Sequence, residues 1–157
     1  MVAPKLVLSS PQDIEHAFYE ALEAADLEAL MNLWADDEQV VCIHPGGPRL
    51  EGYHDVRESW REILSAGPLR IRVVPMMRVE GAVISVHNVL EQVVMSGGRG
   101  QSQLVQVHAT NVYHKGPTGW KMVLHHASAA LEGEEAEEVE DNGLDDLPGF
   151  DTQPTLH

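Results

Sequence analysis

At Gly67-Pro68 the hydrophobic pattern of this chain changes period, and that change limits what it can fold into more than any other feature. Before it, apolar residues recur at helical spacing; after it, they alternate in long runs rich in β-branched side chains. Four such runs follow, over residues 69–79, 82–95, 101–114 and 119–130. They are separated by Glu80-Gly81, by the Gly-rich stretch 96–100 and by the turn 116–119. Links this short cannot make the crossover that parallel neighbours need, so consecutive strands are expected to pair as antiparallel hairpins. Pro75 interrupts the first run and predicts an edge position or a bulge.

Ahead of the switch, Ser9 or Ser10 followed by Pro11 opens a helix with Ile14, Ala17, Phe18, Ala21, Leu22 and Ala25 on one face. Asp26 can cap a second helix, with Leu27, Leu30, Met31 and Trp34 as its buried stripe. A short apolar strand, 40–43, runs into a His-Pro-Gly-Gly loop. A third helix, about 55–65, buries Val56, Trp60, Ile63 and Leu64 and stops at Gly67-Pro68. Helices first and meandering strands afterwards make an α+β layout, with helices covering one face of a curved antiparallel sheet. At 157 residues the chain suits one domain over 10–131, with a short lead, 1–9, and a tail, 132–157.

The tail carries much of the charge. The formal charge is −15, yet residues 132–157 hold ten Asp and Glu and no Lys or Arg, so the body, with 15 acids and 10 bases, stands at −5. A segment so acidic and so poor in large apolar residues reads as a disordered solubilising tail. Its one apolar stretch, GLDDLPGF from Gly143 to Phe150, could dock on a partner or on the body. The charge balance argues against nucleic acid, which needs a basic face. Arg70, Arg72 and Arg78 share a parity and form the one basic stripe, read as a solvated or dimer-facing strand surface. No apolar run reaches the roughly 18 residues that span a bilayer, so no membrane partner is expected. The opening lacks a signal peptide's apolar segment, and the single cysteine, Cys42, suits a small core residue; the expected location is cytoplasmic.

His44 sits where the first strand ends and the Pro/Gly turn begins, a place where a rigid scaffold presents a working side chain. It is either a general base, since imidazole titrates near neutrality, or a structural histidine tied to the Gly46-Gly47 turn. Asn111 shares its strand face with Val105, Val107, Ala109 and Tyr113, and its amide could hold a carbonyl or simply satisfy nearby backbone. His125 and His126 are adjacent on a strand, so they point to opposite faces and cannot share one ion. Alternation places His126 with Trp120, Met122 and Leu124, so it is the candidate for entering the interior. A zinc site would need His44, His108 and His126 to converge, and no HExxH or CxxC spacing supports one. No metal and no cofactor is expected. Neither a G-x-S-x-G nor a phosphate-binding Gly loop before a helix is present.

The order of elements, with EALEAADLEALMNLWADDEQVV (20–41), EGYHDVRESW (51–60) and ATNVYHKGPTGWKMVLHHAS (109–128), resembles the nuclear transport factor 2-like superfamily. That group includes ketosteroid isomerases, SnoaL-like cyclases and a kinase association domain. The resemblance covers roughly residues 10–130 and implies a cone-shaped, cystatin-like α+β roll with a pocket at its open end. It also implies a homodimer through the outer sheet face. Against the ketosteroid isomerase pattern, the base falls on His44 and the oxyanion acid at or beside Asn111. The first-helix tyrosine falls on Phe18, with Tyr19 one residue off, and two aromatic pocket positions fall on Trp34 and Trp60. All three catalytic positions depart from that pattern, so steroid isomerisation is not expected. The expected function is a small-molecule pocket holding a compact carbonyl or aromatic compound, with cofactor-independent isomerase, cyclase or lyase chemistry if it is an enzyme. The competing expectation is a non-catalytic association module.

Overall fold

The computed structural model describes residues 10–96 and 102–131. The lead, residues 97–101 and the acidic tail lie outside the described residues, and with them the expectations for the tail and for a Gly-rich hairpin tip.

Helix α1, Pro11–Ala24, starts as its sequence requires: the Ser10 side chain accepts from the Asp13 amide at 3.1 Å and Pro11 occupies the first turn. Asp26 caps α2, Leu27–Met31, by accepting from the Ala29 amide. Helix α3, Tyr53–Leu64, begins at Gly52, which has no side chain to cap with. Its φ of 98° turns the chain from a strand into the helix, and its amide bonds the Val40 carbonyl at 2.8 Å. The start expected at Asp55 therefore moves two residues earlier, because the backbone of the preceding turn substitutes for a cap.

Strands β1 (Val41–Ile43), β2 (Arg49–Glu51), β3 (Arg70–Glu80), β4 (Ile84–Ser96), β5 (Ser102–Gly116) and β6 (Gly119–Ala129) form one curved, unclosed sheet in the order β2-β1-β6-β5-β4-β3. The last four strands pair antiparallel as the short links demand; β1 lies parallel to β6. Strand β2 was not foreseen: three residues after a Pro/Gly turn are too few for a period to show. The concave side of the sheet packs on α1 and α3, burying Ile14, Phe18, Leu22, Val56, Trp60, Val89, Ala109, Tyr113 and Met122. Truncating a buried ring such as Phe18 or Trp60 costs about 3–5 kcal/mol.

Two bulges correct the parities read from the sequence. In β3 the register shifts between Pro75 and Met77, so β3 is both an edge strand and a bulged one. Arg72 lies opposite Gln92 on the convex face, but Arg78 lies opposite His87 on the concave face. The expected three-arginine stripe is therefore broken, and Arg78 turns inward to Glu15, 2.7 Å away. In β6 the register shifts opposite Val112 and Tyr113, whose partners are Leu124 and Met122, leaving Val123 as the extra residue. Beyond it every side chain changes face. His125 is 2% exposed and points inward, whereas His126 is exposed on the convex face.

Candidate functional site

A chain of hydrogen bonds crosses the interior from β4 to β6. The Tyr19 hydroxyl, on α1, donates to Glu91 Oε2 at 2.6 Å. Asn111 Nδ2 donates to the Tyr19 oxygen at 3.0 Å. His125 Nδ1 lies 2.6 Å from Asn111 Oδ1 and, since that oxygen only accepts, Nδ1 carries the proton. Every donor thus points toward Glu91, and His125 Nε2 is left as the acceptor of its ring. Asn111 and His125 are direct cross-strand partners, which explains how two residues 14 apart in sequence meet.

Burial tunes these groups in opposite senses. It pushes the Glu91 carboxyl up to about 7, with the Tyr19 hydrogen bond pulling the other way. It pushes His125 down to about 3, helped by the neighbouring His44 and His126, so His125 is neutral. Tyr19 is held well above its ordinary value by burial and by the Glu91 charge.

His44 follows the last residue of β1 and is half-buried. Its Nε2 lies 3.0 Å from Ser59 Oγ on α3, not against the Gly46-Gly47 turn. Ser59 spends its hydroxyl hydrogen on the Val56 carbonyl at 2.7 Å, so His44 Nε2 donates and Nδ1 keeps its lone pair. Burial lowers the His44 pKa, which keeps the ring neutral. Trp60 stands edge-on to His44 with centroids 4.6 Å apart, and Phe18 stands edge-on to Trp60 at 5.6 Å. His125 lies 5.4 Å from Phe18, 5.6 Å from Trp60 and 6.4 Å from His44.

The structure therefore gathers His44, Asn111, Tyr19 and Trp60 around one interior, with His125 in the place expected of His126. Trp34 is buried but elsewhere: it bridges to Met122 and lines a cleft with Tyr53, His114 and Lys121. A cleft of about 470 Å³ between α1 and β3 reaches Tyr19, with Glu15, Ile71, Val73 and Arg78 among its walls. Beside it Glu15, 6% exposed, accepts from Arg78 and faces His87 Nδ1 at 2.8 Å, while His87 Nε2 faces Glu80 at 2.7 Å. Burial raises the Glu15 carboxyl, but the bonds from His87 and Arg78 outweigh it and hold the group below its ordinary value.

Glu91, His125, Ser59 and the Glu15–His87 pair escaped the sequence reading. Glu91 and His87 did leave a signal, since both share strand parity with Val89 and Val93, the pattern of an inward face. His125 left none, because alternation is blind to the Val123 bulge. Among the described residues no group of three or more His, Cys, Asp or Glu is arranged to hold a metal ion. No described helix is long and apolar enough to cross a membrane.

The comparisons agree with this fold. The family model of the SnoaL-like domain matches residues 12–132. A solved structure from Thiobacillus denitrificans, provisionally named a calcium/calmodulin-dependent protein kinase type II association domain, is 36% identical with a TM-score of 0.73, over 81% of this chain and 100% of that one. A Streptomyces avermitilis structure, provisionally named a dehydratase of the nuclear transport factor 2-like family, is 30% identical with a TM-score of 0.68, over 75% and 92%. A ketosteroid isomerase-like protein from Erwinia carotovora atroseptica shares the fold at 17% identity, with a TM-score of 0.68 over 79% and 96%. No curated protein matches. With a curved sheet wrapped on N-terminal helices, and a family match over most of its length, the chain belongs to the SnoaL-like domain family on the nuclear transport factor 2-like fold.

Proposed function

We propose that this protein binds a compact carbonyl-bearing or aromatic small molecule inside the cone, against Trp60 and Phe18 and within reach of His44, His125 and Asn111. The observation that carries the reading is the buried chain Glu91–Tyr19–Asn111–His125. Four polar groups in a core cost free energy that an apolar core of the same volume does not, and perturbed titratable groups of this kind gather at working sites. A neutral imidazole suits proton abstraction, with His44 Nδ1 as the base and the second Nδ2 hydrogen of Asn111 polarising a carbonyl, whereas His125, depressed to about 3, is too weak a base and orients Asn111 instead. That chemistry is isomerase, cyclase or lyase chemistry without a cofactor. The α1–β3 cleft, which has Tyr19 in its wall, is the opening this reading assigns to the ligand. The reading is of a cytoplasmic protein.

The test is imidazole-detected NMR titration with a panel of small aromatic ketones and enones. Saturable shifts of the His44 and His125 ring signals, abolished in His44→Ala without a change in melting or oligomer size, support the site. Silence across the panel, together with a large stability loss in His44→Ala, leaves His44 as a structural residue.

A second reading, a non-catalytic association module assembled through the outer sheet face, is favoured by the 36% identity to the Thiobacillus structure and its name. The exposed apolar residues Met76, Met77 and Val79 on β3, Val83 in the β3–β4 link and Ile84 at the start of β4 suit it. Light scattering that shows a dimer or larger ring, unaffected by substitutions in the cone, supports this reading.

A further inference from the structure

The groove at the start of β3 has features that the cone does not use. Its volume is about 420 Å³, and its walls include Leu69, Arg70, Arg72, Gln92, Val94 and Leu104, with Glu23 of α1 at one side. Arg70, Val94 and Leu104 are one cross-strand row on the convex face, and Arg72 with Gln92 belongs to the next. Arg49, Arg57, Arg61 and Arg78 are each engaged by a carboxylate within the fold. Arg70 has no ion pair among the described residues. Gln92 is 2% exposed, its Nε2 donates to Gln106, and its Oε1 has no hydrogen-bond partner among the described residues. A buried acceptor left unpaired costs about 1–3 kcal/mol and calls for a donor.

We propose that this groove is the docking site of the chain's own acidic tail, with the stretch from Gly143 to Phe150 as its occupant. The chemistry of that stretch matches the groove wall by wall. Asp145 and Asp146 supply carboxylates for Arg70; Leu144, Leu147 and Phe150 supply apolar surface for Leu69, Val94 and Leu104. A backbone N–H of the segment supplies the donor that Gln92 Oε1 lacks. The ten acids and absence of Lys or Arg in residues 132–157 steer the tail to the place where two arginines share an apolar groove.

The path is short. The fold ends beside the same row of the sheet, where the Ala130 amide bonds the Gln106 carbonyl, and Gln106 lies opposite Gln92, itself opposite Arg72. Three strand spacings make roughly 14 Å. Residues 132–143 can span up to roughly 40 Å.

Paramagnetic relaxation on the full chain tests this directly. A spin label is attached at Thr152→Cys, which Cys42 does not contest because its buried thiol is pushed up to about 12. The expected result is broadening centred on the amides of residues 70–72, 92–94 and 104. It should fall about threefold or more between roughly 0.05 M and 0.5 M salt, as screening shortens, and be lost in the double variant Arg70→Glu, Arg72→Glu. Uniform weak broadening, or broadening centred on another surface, overturns the proposal. So does broadening that appears when spin-labelled, isotope-free chain is mixed with unlabelled isotopic chain, because the occupant is then a second copy.

Discussion

Asn111 and His125 face each other across the β5–β6 ladder and are joined side chain to side chain at 2.6 Å. The bond exists because Val123 is the extra residue of a bulge; in a regular strand His125 would face solvent and His126 the interior. Single-residue tests of the interior start from this pair.

His125→Ala leaves Asn111 Oδ1 without its donor and opens a cavity, and is expected to cost about 2–4 kcal/mol. His126→Ala, on the exposed face, should stay within about 0.5 kcal/mol. The folded His125 pKa is depressed from 6.5 to about 3, so its contribution is complete above pH 6.5 and is lost as pH falls toward 3. Denaturant titrations at several pH values should show the gap between wild type and His125→Ala closing on acidification; a constant gap rejects the assignment.

Glu91 carries the opposite sign. Its folded pKa is raised from 4.5 to about 7, so its contribution is full below pH 4.5 and is withdrawn as pH rises to 7. A shift of that size corresponds to about 3 kcal/mol. Glu91→Gln should therefore gain about that much on wild type between pH 4 and pH 8. Parallel stability curves for the two proteins would show that Glu91 is not held in an apolar setting.

Cys42 is wholly buried and its thiol is pushed up to about 12 by burial, then by the nearby Glu91 charge. Iodoacetamide at pH 8 should label it only as fast as the protein opens, and mass spectrometry should show the rate rising with denaturant. Rapid native labelling contradicts the packing described for β1.

Gly81 stands where a Cβ would run into the Ile84 carbonyl oxygen, a backbone atom that cannot swing away. Gly81→Ala should open the β3–β4 turn and cost about 1–3 kcal/mol in melting experiments. Gly116→Ala is the control, since nothing lies within 4 Å of the Cβ it would gain; equal losses in the two variants would discount the clash.

Local rules carried the sequence a long way. Ser10-Pro11, Asp26 and the Gly67-Pro68 break set the helices, and short turns between alternating runs set an antiparallel meander, because each acts over a few residues. The inward direction of Asn111, the strand-end place of His44 and the core burial of Trp60 were legible for the same reason. What only the tertiary structure decided depends on register. A one-residue bulge at Met76 or Val123 reverses every later side chain; Pro75 marks the first in the sequence, but no local composition marks the second. That reversal sent Arg78 to Glu15, brought His125 instead of His126 to Asn111, and left alternation correct for half of each strand. The Tyr19–Glu91 contact spans 72 residues of sequence, so it was fixed by how α1 lies on the sheet and by nothing that either segment specifies alone.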